Sequence, residues 1–213
     1  MSAARRLLGA VLVRDDGSGV RRARIDEVEA YGGADDAASH ARSGLTARTA
    51  PMFGPAGHAY VYLVYGMHDC LNVVSGETGT AGAVLIRAVT PIQGSDLMRS
   101  AREAVAMRRR AARTPVGRER AVAAIARTPE QRLASGPGLV AAAFGLDTSW
   151  SGQDLCSPEG AVRLELGEVV PPERVVTGPR IGIEHAGPAA AARPWRLWLA
   201  DSVAVSGRAA VAR

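Results

Sequence analysis

Lysine is the most informative absence in this sequence of 213 residues, because all 26 basic side chains are arginine. Without a lysine amine, no side chain can form a Schiff base, which excludes that route of covalent catalysis. The formal net charge is +5 and the pI is about 10. Guanidinium groups are permanently charged and pair well with phosphate oxygens. The charge balance therefore favours a phosphate-bearing partner.

Cysteine is scarce, with only Cys70 and Cys156, which lie far apart in the chain. No CxxC pair is present, which argues against a disulfide framework and a zinc ribbon. His58, His68 and Cys70 lie close together in sequence, but no fourth ligand accompanies them. The segment Gly136–Gly138 matches no nucleotide-binding loop. We therefore expect neither a metal nor a cofactor.

Long hydrophobic runs are missing as well. The apolar stretch within Ser2–Val13 is too short for a signal peptide, lacks a small-residue cleavage site and runs into an Asp/Gly turn. No segment approaches the length needed to cross a bilayer. With 47% hydrophobic and 22% charged residues, the composition is that of a globular protein. We expect a cytoplasmic protein without membrane association, folded as a single domain over residues 1–213.

Short apolar runs separated by Gly, Pro and Asp predict strands, whereas runs rich in Ala, Leu and Arg predict helices. The predicted strands are Gly9–Val13, Arg24–Tyr31, Tyr60–Tyr65, Leu71–Val74, Ala83–Val89, Ala161–Leu166, Arg180–Glu184 and Arg196–Leu199. The predicted helices are Ser95–Arg113, Val116–Arg127 and Gly138–Phe144. Strands come first, then helices, then strands again, which disfavours repeated βαβ units. The order predicts an α+β fold, a single compact domain with a curved, mostly antiparallel sheet flanked by helices.

All four tyrosines fall between positions 31 and 65. Alternation along a strand puts Tyr60 and Tyr62 on one face. Tyr65 comes directly before Gly66, which permits a tight turn, and Leu71–Val74 is typical of the return strand. Tyr65 is therefore expected at or near the tip of a hairpin, where a bulky ring can wedge between stacked bases. Simple packing is the commoner explanation for a lone Tyr near a turn, so both interpretations stay open.

Two polar side chains interrupt apolar strands. Asn72, the only Asn in the chain, lies in the predicted return strand. A half-buried amide must be hydrogen-bonded, either to the backbone or to a ligand. Arg87 lies within an otherwise apolar strand, where a guanidinium needs a carboxylate or a polar cavity. Both residues are candidates for a binding site.

The segment Arg24–Tyr31 can supply the carboxylate, because alternation puts Glu27, Glu29 and Tyr31 on one face. A carboxylate two residues before a Tyr, with His40 near in sequence, resembles a site that binds and cleaves a flat substrate. A solvated acidic strand face with an ordinary core Tyr is the alternative for this segment.

Arginine is concentrated between Arg99 and Arg132, where ten Arg and three acidic residues give a local charge of +7. Such a segment can dock on a phosphate backbone, and each neutralised phosphate makes binding more dependent on salt. A solvated helix face in an arginine-biased chain has the same composition. Nucleic-acid binding therefore stays a hypothesis at this point.

Several longer strings are specific enough to point to a family. They are Glu27–Tyr31, Ala38–His40, Met52–Pro55, Tyr60–Met67, Cys70–Asn72, Val84–Ala88 and Ser135–Pro137. In this order and spacing the chain resembles the alkyladenine (3-methyladenine) DNA glycosylase family from about Leu7 to Leu199. Members of that family remove alkylated and deaminated purines from DNA.

The resemblance implies how the protein contacts double-stranded DNA. Tyr65 matches the residue that fills the gap left by a flipped nucleotide. Met67 and His68 share its protruding β-hairpin, which enters the DNA minor groove in the family. Arg42 and Arg48 are candidates for phosphate contacts. The implied partner is double-stranded DNA with a damaged purine, bound by a monomer that is associated with the nucleoid if the organism is a bacterium.

The resemblance also implies how a flipped base is held and released. Its base-binding pocket corresponds to the rings of Tyr31, His40 and Tyr62, with Asn72 excluding guanine-type bases. Its catalytic water is held by positions that match Glu29, Arg87 and the backbone carbonyl of Ile183. Arg87 is expected to keep Glu29 ionised by lowering its pKa.

The resulting expectation is a monofunctional DNA glycosylase that acts on 3-methyladenine, 7-methylguanine, hypoxanthine and ethenoadenine. Water must be the nucleophile, so no lyase activity is expected from a chain without lysine. Two alternatives are a non-catalytic module that binds damaged DNA and a nucleoside hydrolase that acts on small molecules. Retention of Glu29 and Arg87 disfavours the first. Tyr65 and the arginine surplus disfavour the second, because a free nucleoside needs neither.

The chain departs from the family pattern in three places. Leu45–Thr49 replaces a common Arg-Thr-Pro-Arg-Asn string, and no basic residue follows Ser135–Pro137 directly. His68 occupies a hairpin position that is usually aromatic. These changes alter the expected phosphate contacts near the pocket. Our hypothesis is that the segment Arg99–Arg132 compensates for them.

Overall fold

The computed structural model of the protein describes residues 1–108 and 114–207. Within them, nine strands form one sheet, and its strand pairings are antiparallel. The strands are β1 (Val11–Asp15), β2 (Val20–Tyr31), β3 (Ala59–Val64), β4 (His68–Val74), β5 (Ala83–Gln93), β6 (Ala134–Ser135), β7 (Val162–Glu165), β8 (Val175–Gly178) and β9 (Arg196–Leu199). The helices are α1 (Ser2–Leu7), α2 (Ser95–Met107), α3 (Pro115–Ala126), α4 (Pro137–Phe144) and α5 (Pro188–Ala191). The predicted α+β fold with an antiparallel sheet is confirmed.

The two longest strands, β2 and β5, organise the sheet. The strand order is β3-β4-β5-β2-β1-β7, with β6 beside β5 and β9 beside both β2 and β8. Along β2 one neighbour changes, from β1 at residues 20–24 to β9 at residues 27–29. The register of β2 against β5 also shifts between residues 25 and 28. Such irregularities bend a strand and increase its twist, so the sheet curls.

Helix α4 covers the part of the sheet that carries the candidate site. It is apolar along most of its length, and Val140 to Phe144 are buried. It packs against β4, β5 and α2. A helix that is apolar on every side is stable only when it is enclosed. Its packing therefore fixes the positions of β4 and β5, the strands that carry Asn72 and Arg87.

One predicted strand is wrong. The segment Arg180–Glu184 is a loop that turns at Gly182, where φ is +77°. The amide of Ile181 donates to the carboxylate of Glu29 at 2.8 Å, so it is not available for a strand neighbour. The strand lies just before this loop, at β8, which the sequence analysis missed. The alternation of Ile181, Gly182 and Ile183 is typical of a strand, but the amide of Ile181 bonds to a side chain and not to a neighbouring strand.

The helix predictions are confirmed in position. The helix predicted at Ser95–Arg113 begins at Ser95 and ends at Met107, and residues 109–113 of that prediction lie outside the described residues. Helices α3 and α4 match the other two predictions within a residue at each end. In the part of the chain that the structure describes, no helix is both long and apolar enough to cross a membrane.

Candidate active site

The hairpin between β3 and β4 has an unusual tip. Tyr65 has φ +52° and is the one residue other than glycine with positive φ in the described residues. Gly66 follows with φ +65°, and the amide of Met67 donates to the carbonyl of Val64 at 3.0 Å. This two-residue turn matches the twist of the flanking strands, but Gly or Asn normally occupies such positions. Tyr65 is also 81% exposed, so neither backbone preference nor burial explains a Tyr here.

The two other hairpin residues predicted to contact DNA differ in their surroundings. Met67 is 57% exposed, as a residue on a contact surface would be. His68, the first residue of β4, packs closely over Gly138 of α4. A β-carbon on that glycine would lie 2.9 Å from Nδ1 of His68. His68 therefore braces the hairpin against α4.

A cavity of about 610 Å³ opens beside this hairpin. Its volume lies in the usual range for ligand sites, roughly 300 to 1,000 Å³. The structure brings to this cavity most of the predicted site residues, namely Tyr31, His40, Arg42, Arg48, Tyr62, Tyr65, Asn72, Arg87 and Ile183. Residues that lie up to 152 positions apart in the chain, Tyr31 and Ile183, thus meet at one site.

Aromatic rings form one wall of the cavity. The rings of His40 and Tyr62 meet edge to face, with centroids 4.4 Å apart and an interplanar angle of 84°. Tyr60, which is buried, fixes this wall from behind: its hydroxyl lies 3.0 Å from Nδ1 of His40. The guanidinium of Arg48 lies over the ring of Tyr62, 5.9 Å from its centroid. Arg48 therefore belongs to the cavity wall as well as to the predicted phosphate contacts.

The pKa of His40 is lowered to about 4, mainly by desolvation among these rings and further by the positive charges of Arg48 and Arg42. The imidazole is consequently neutral at neutral pH. A neutral ring can stack on a cationic base without repelling it, which a protonated imidazole could not do.

Asn72 is 3% exposed and is held rigidly. Its Nδ2 donates to the carbonyl of Tyr60 at 3.0 Å and to that of Cys70 at 3.4 Å. Both amide hydrogens are therefore used within the sheet, and the amide oxygen is left for a ligand in the cavity. An amide that cannot rotate away is what a steric gate requires.

Glu29 is fully buried and does not itself line the cavity, but its partners do. Its Oε1 accepts from the amide of Ile181 at 2.8 Å and lies 3.2 Å from Nη1 of Arg87. Its Oε2 accepts from the hydroxyl of Tyr31 at 2.8 Å. Oε2 has this one partner among the described residues and can accept a further hydrogen bond. The carboxylate is thus positioned by three partners, all of which line the cavity.

The net pKa shift of Glu29 is opposite to the one expected from Arg87 alone. Burial, with a smaller contribution from the charge of Glu27, raises the pKa of Glu29 by more than Arg87, Ile181 and Tyr31 lower it. A carboxylate with a raised pKa is a stronger base, as a group that takes a proton from water must be. The sequence predicted the partner correctly, but the depth of burial reversed the net direction.

Two residues of the loop 180–183 approach the carboxylate differently. The amide of Ile181 donates to Glu29, whereas the carbonyl of Ile183 already accepts from the amide of Ala186 at 2.9 Å. Ile183 was predicted from the sequence, whereas the contact of Ile181 was not. No local pattern distinguishes the two isoleucines, because only the fold shows which one faces Glu29.

A buried ion pair, also missed by the sequence analysis, supports both sides of the cavity. Nη1 and Nη2 of Arg180 bind the carboxylate of Asp36 at 2.6 and 2.7 Å, and both side chains are almost fully buried. The same guanidinium lies 4.7 Å from the ring centroid of Tyr31. Asp36 also accepts from the amides of Gly32 and Ala38. The pair ties the loop before Ile181 to the loop that leads to His40.

No cluster of three or more metal-ligating side chains is present among residues 1–108 and 114–207. An aromatic cavity of this size, a buried carboxylate and an exposed ring at the adjacent hairpin tip suit an enzyme that extracts a base from a nucleic acid and cuts it from its sugar. This is the class of the DNA glycosylases.

Comparison with known proteins gives the family. Residues 1–203 match the model of the methylpurine-DNA glycosylase (MPG) family. A DNA-3-methyladenine glycosylase of Arabidopsis thaliana is 41% identical over 94% of this chain and 68% of its own. Proteins provisionally named 3-methyladenine DNA glycosylase are 43% identical in Myxococcus xanthus, over 95% of this chain and 86% of the relative, and 47% identical in Mycolicibacterium fortuitum, over 96% and 91%.

The chain therefore belongs to the methylpurine-DNA glycosylase family. It is an enzyme, a hydrolase of N-glycosyl bonds, and its macromolecular partner is DNA. The resemblance drawn from the sequence motifs is confirmed.

Proposed function

We propose that this protein is a monofunctional repair glycosylase that flips damaged purines out of duplex DNA and releases them with a water molecule activated by Glu29. The substrates are purines of the 3-methyladenine, 7-methylguanine, hypoxanthine and ethenoadenine class. The observation that carries the proposal is the buried Glu29, held by Arg87, Ile181 and Tyr31, all three of which line a cavity large enough for a purine nucleotide.

The first step is extrusion of the nucleotide. The hairpin enters the minor groove, and Tyr65 occupies the space in the stack that the flipped base has left. Met67 lies against the same groove. Damaged or mispaired bases cost less to unstack than normal ones, so selection begins before the base enters the cavity.

The second step is capture of the base. Tyr31 stacks on one side of the purine and the wall of His40 and Tyr62 on the other. Neutral His40 is compatible with cationic alkylated bases and with neutral ones. Asn72, whose amide is fixed by two carbonyls, occupies space that an exocyclic 2-amino group would need.

The third step is hydrolysis. Bond cleavage develops positive charge on the sugar, which the carboxylate of Glu29 stabilises while it takes the proton from the attacking water. Arg87 and the carbonyl of Ile183, which has a second lone pair besides the one used by the amide of Ala186, hold that water. Cationic bases leave without further help, whereas neutral bases need a proton as they depart. The product is an abasic site, and no lysine is present to cleave it.

The direct test uses duplex oligonucleotides that each carry one lesion, followed by alkaline cleavage of abasic sites. Strand breaks are expected with at least one of hypoxanthine, ethenoadenine, 3-methyladenine and 7-methylguanine. If none of the four duplexes is cleaved, the proposed function is wrong. The relative rates among the four give the preferred lesion.

Asn72→Gly is expected to increase release of guanine-type bases by about tenfold, since opening a tight pocket by a few atoms changes discrimination by roughly 10- to 200-fold. Release of hypoxanthine should change little. The measurement is a base-release profile by chromatography. Cys70→Ser, at another cavity-lining position of β4, is the matched control and should keep the wild-type profile. An unaltered profile in Asn72→Gly would exclude a gatekeeper role.

Arginines of the segment Arg99–Arg132 are expected to account for much of the salt dependence of DNA binding. Arg102, Arg127 and Arg132 line a second groove of about 460 Å³ beside Ser135 and Leu139. Arg102 and Arg127 donate to backbone carbonyls, which do not cancel their charge. Pro137, within the same turn of chain, lines the base cavity, so the groove adjoins the damaged nucleotide.

The double variant Arg127→Ala/Arg132→Ala is expected to lower the slope of log K against log salt by up to about two, roughly one for each lost phosphate contact. Binding of undamaged duplex between 50 and 200 mM salt, by fluorescence anisotropy, measures it. Arg22→Ala/Arg163→Ala removes the same charge at the opposite edge of the sheet, where both arginines pair with Glu165. Equal slopes in the two double variants would contradict the prediction.

A further inference from the structure

A second buried carboxylate lies beside the catalytic one. Glu27, two residues before Glu29 on β2, is fully buried. Its Oε1 accepts from Nε of Arg87 at 2.9 Å and from Nε of Arg196 at 2.6 Å, and its Oε2 accepts from the amide of Ser206 at 2.6 Å. A buried carboxylate is costly unless it is fully paired. Glu27 meets that condition with two guanidiniums.

Glu27 and Ser206 together fix the orientation of Arg87. Nε of Arg87 binds Glu27, and Nη2 donates to the hydroxyl of Ser206 at 3.1 Å. The guanidinium is planar and rigid, so holding two of its nitrogens determines the position of the third. That third nitrogen, Nη1, is the one that lies 3.2 Å from Glu29.

Arg196 closes the arrangement from the other side. It lies on β9, its Nη2 donates to the carbonyl of Ser206 at 2.7 Å, and its guanidinium stacks on the ring of Trp198 with 4.5 Å to the centroid. The segment Ser202–Ser206 is largely buried against this cluster. The end of the described chain is thus fastened to the catalytic centre through Glu27.

The four charged side chains balance, with Glu27 and Glu29 opposite Arg87 and Arg196. The guanidinium of Arg87 contacts both Glu27 and Glu29, so its positive charge stabilises two carboxylates and not Glu29 alone. The negative charge of Glu27 also raises the pKa of Glu29. Glu27 therefore acts on Glu29 by orientation and by charge.

We propose that Glu27 is a positioning residue for the hydrolysis: it orients Arg87 toward Glu29 and its water. The proposal rests on the function proposed above, in which Glu29 takes the proton from water. Neither Glu27 nor Glu29 lines the cavity itself. Glu29 contacts three residues that do, Tyr31, Arg87 and Ile181, whereas Glu27 contacts only Arg87 among them, so Glu27 is not expected to touch the base or the sugar.

The charged and titratable groups around Glu29 determine the expected pH dependence. They are Glu27 and Tyr31 from β2, Arg87 from β5 and, through Glu27, Arg196 from β9. Ile181 contributes an uncharged amide. Activity requires ionised Glu29, so it falls as pH drops through the pKa of Glu29. If Glu27 loses its charge, Glu29 is the one remaining carboxylate beside the two guanidiniums of the cluster. The pKa of Glu29 is then expected to fall.

Glu27→Gln tests the proposal. We expect the single-turnover rate constant of base release at neutral pH to fall by about 10- to 100-fold, the order expected for a misplaced catalytic group. Affinity for lesion-containing duplex should stay within about threefold, and the acid limb of the pH–rate profile should move to lower pH. A purely structural role would lower the folded fraction or the thermal stability and leave the acid limb where it is. An unmoved or upward-shifted limb would refute the proposal.

Two variants serve as controls. Glu165→Gln makes the same change at a carboxylate that also binds two arginines but lies at the far edge of the sheet, so its rate and pH profile should remain those of the wild type. Glu27→Asp keeps the charge on a shorter side chain, so its acid limb should stay in place while kcat falls. If Glu27→Asp moves the limb as far as Glu27→Gln does, the charge argument is wrong.

A readout without catalysis separates this proposal from the proposed function. Carbon-13 NMR of labelled glutamate carboxyls, with the Glu29 signal assigned by Glu29→Gln, measures the titration of Glu29 directly. Ser206→Ala, which removes only the hydroxyl acceptor of Arg87, is the milder variant if Glu27→Gln does not fold; a displaced Glu29 titration supports the proposal and an unchanged one opposes it. Wild-type protein that releases no base would refute the function, while the titration would still decide whether Glu27 controls Glu29.

Discussion

Replacing Glu29 with Gln is expected to reduce base release by about 10³-fold, within the usual contribution of a general base. The amide keeps the shape of the side chain but cannot accept a proton from water or stabilise a positive sugar. Binding of lesion-containing duplex should change by less than about threefold, because the rings of the cavity and the hairpin are untouched. Single-turnover kinetics and anisotropy on the same duplex measure the two effects separately.

Glu184→Gln is the matched control for this variant. Glu184 follows the loop that carries Ile181 and Ile183 and is exposed, so its loss should leave both rate and binding near wild type. Loss of binding together with activity in Glu29→Gln would assign Glu29 a structural role. Retained activity would remove it from the proposed mechanism altogether.

Replacing Tyr65 with Ser has the second-largest expected effect. Without the ring, nothing at the hairpin tip fills the stack, and base release from duplex DNA should fall by about 100-fold, since filling and unstacking involve a few kcal/mol. Tyr65→Phe keeps the ring and should retain most activity. Duplex cleavage at equal enzyme concentration measures both. Wild-type rates in Tyr65→Ser would end the assignment of this residue as the wedge.

Tyr65 is expected to lower the stability of the free protein although activity on duplex DNA requires its ring. A residue other than glycine in the left-handed region costs roughly 1 to 2 kcal/mol, and Tyr65 has φ +52°. Tyr65→Gly removes this cost but gives the unfolded chain more freedom, so the free energy of unfolding should rise by at most about 1 kcal/mol. Urea denaturation measures the change. A less stable glycine variant would mean that the ring contributes contacts in the free protein.

Local pattern was sufficient for much of the site. Period-two alternation correctly placed Glu27, Glu29 and Tyr31 together, and Gly66 located the hairpin tip. These are short-range properties, since the side chain's face and the turn depend on a few neighbouring residues. The same local pattern gave a wrong prediction at Arg180–Glu184. Ile-Gly-Ile alternates as a strand does, but the amide of Ile181 donates to Glu29.

Contacts that join distant parts of the chain were not predictable in this way. Arg180 binds Asp36 across 144 residues, and Arg196 binds Glu27 across 169. The second contact depends on β2 changing neighbours along its length, from β1 to β9. No periodicity within a strand indicates which strand will lie beside it, so these positioning contacts became visible only in the folded sheet.

The sequence by itself determined which chemical groups are available: the chain has no lysine, and it carries a carboxylate, an arginine and four tyrosines in the motifs of one glycosylase family. Only the tertiary structure decided how that chemistry is tuned. Arg87 alone would lower the pKa of Glu29, yet complete burial raises it. Residue types specify which charges can meet, but desolvation depends on how much of the chain is packed around them, and that exists only in the fold.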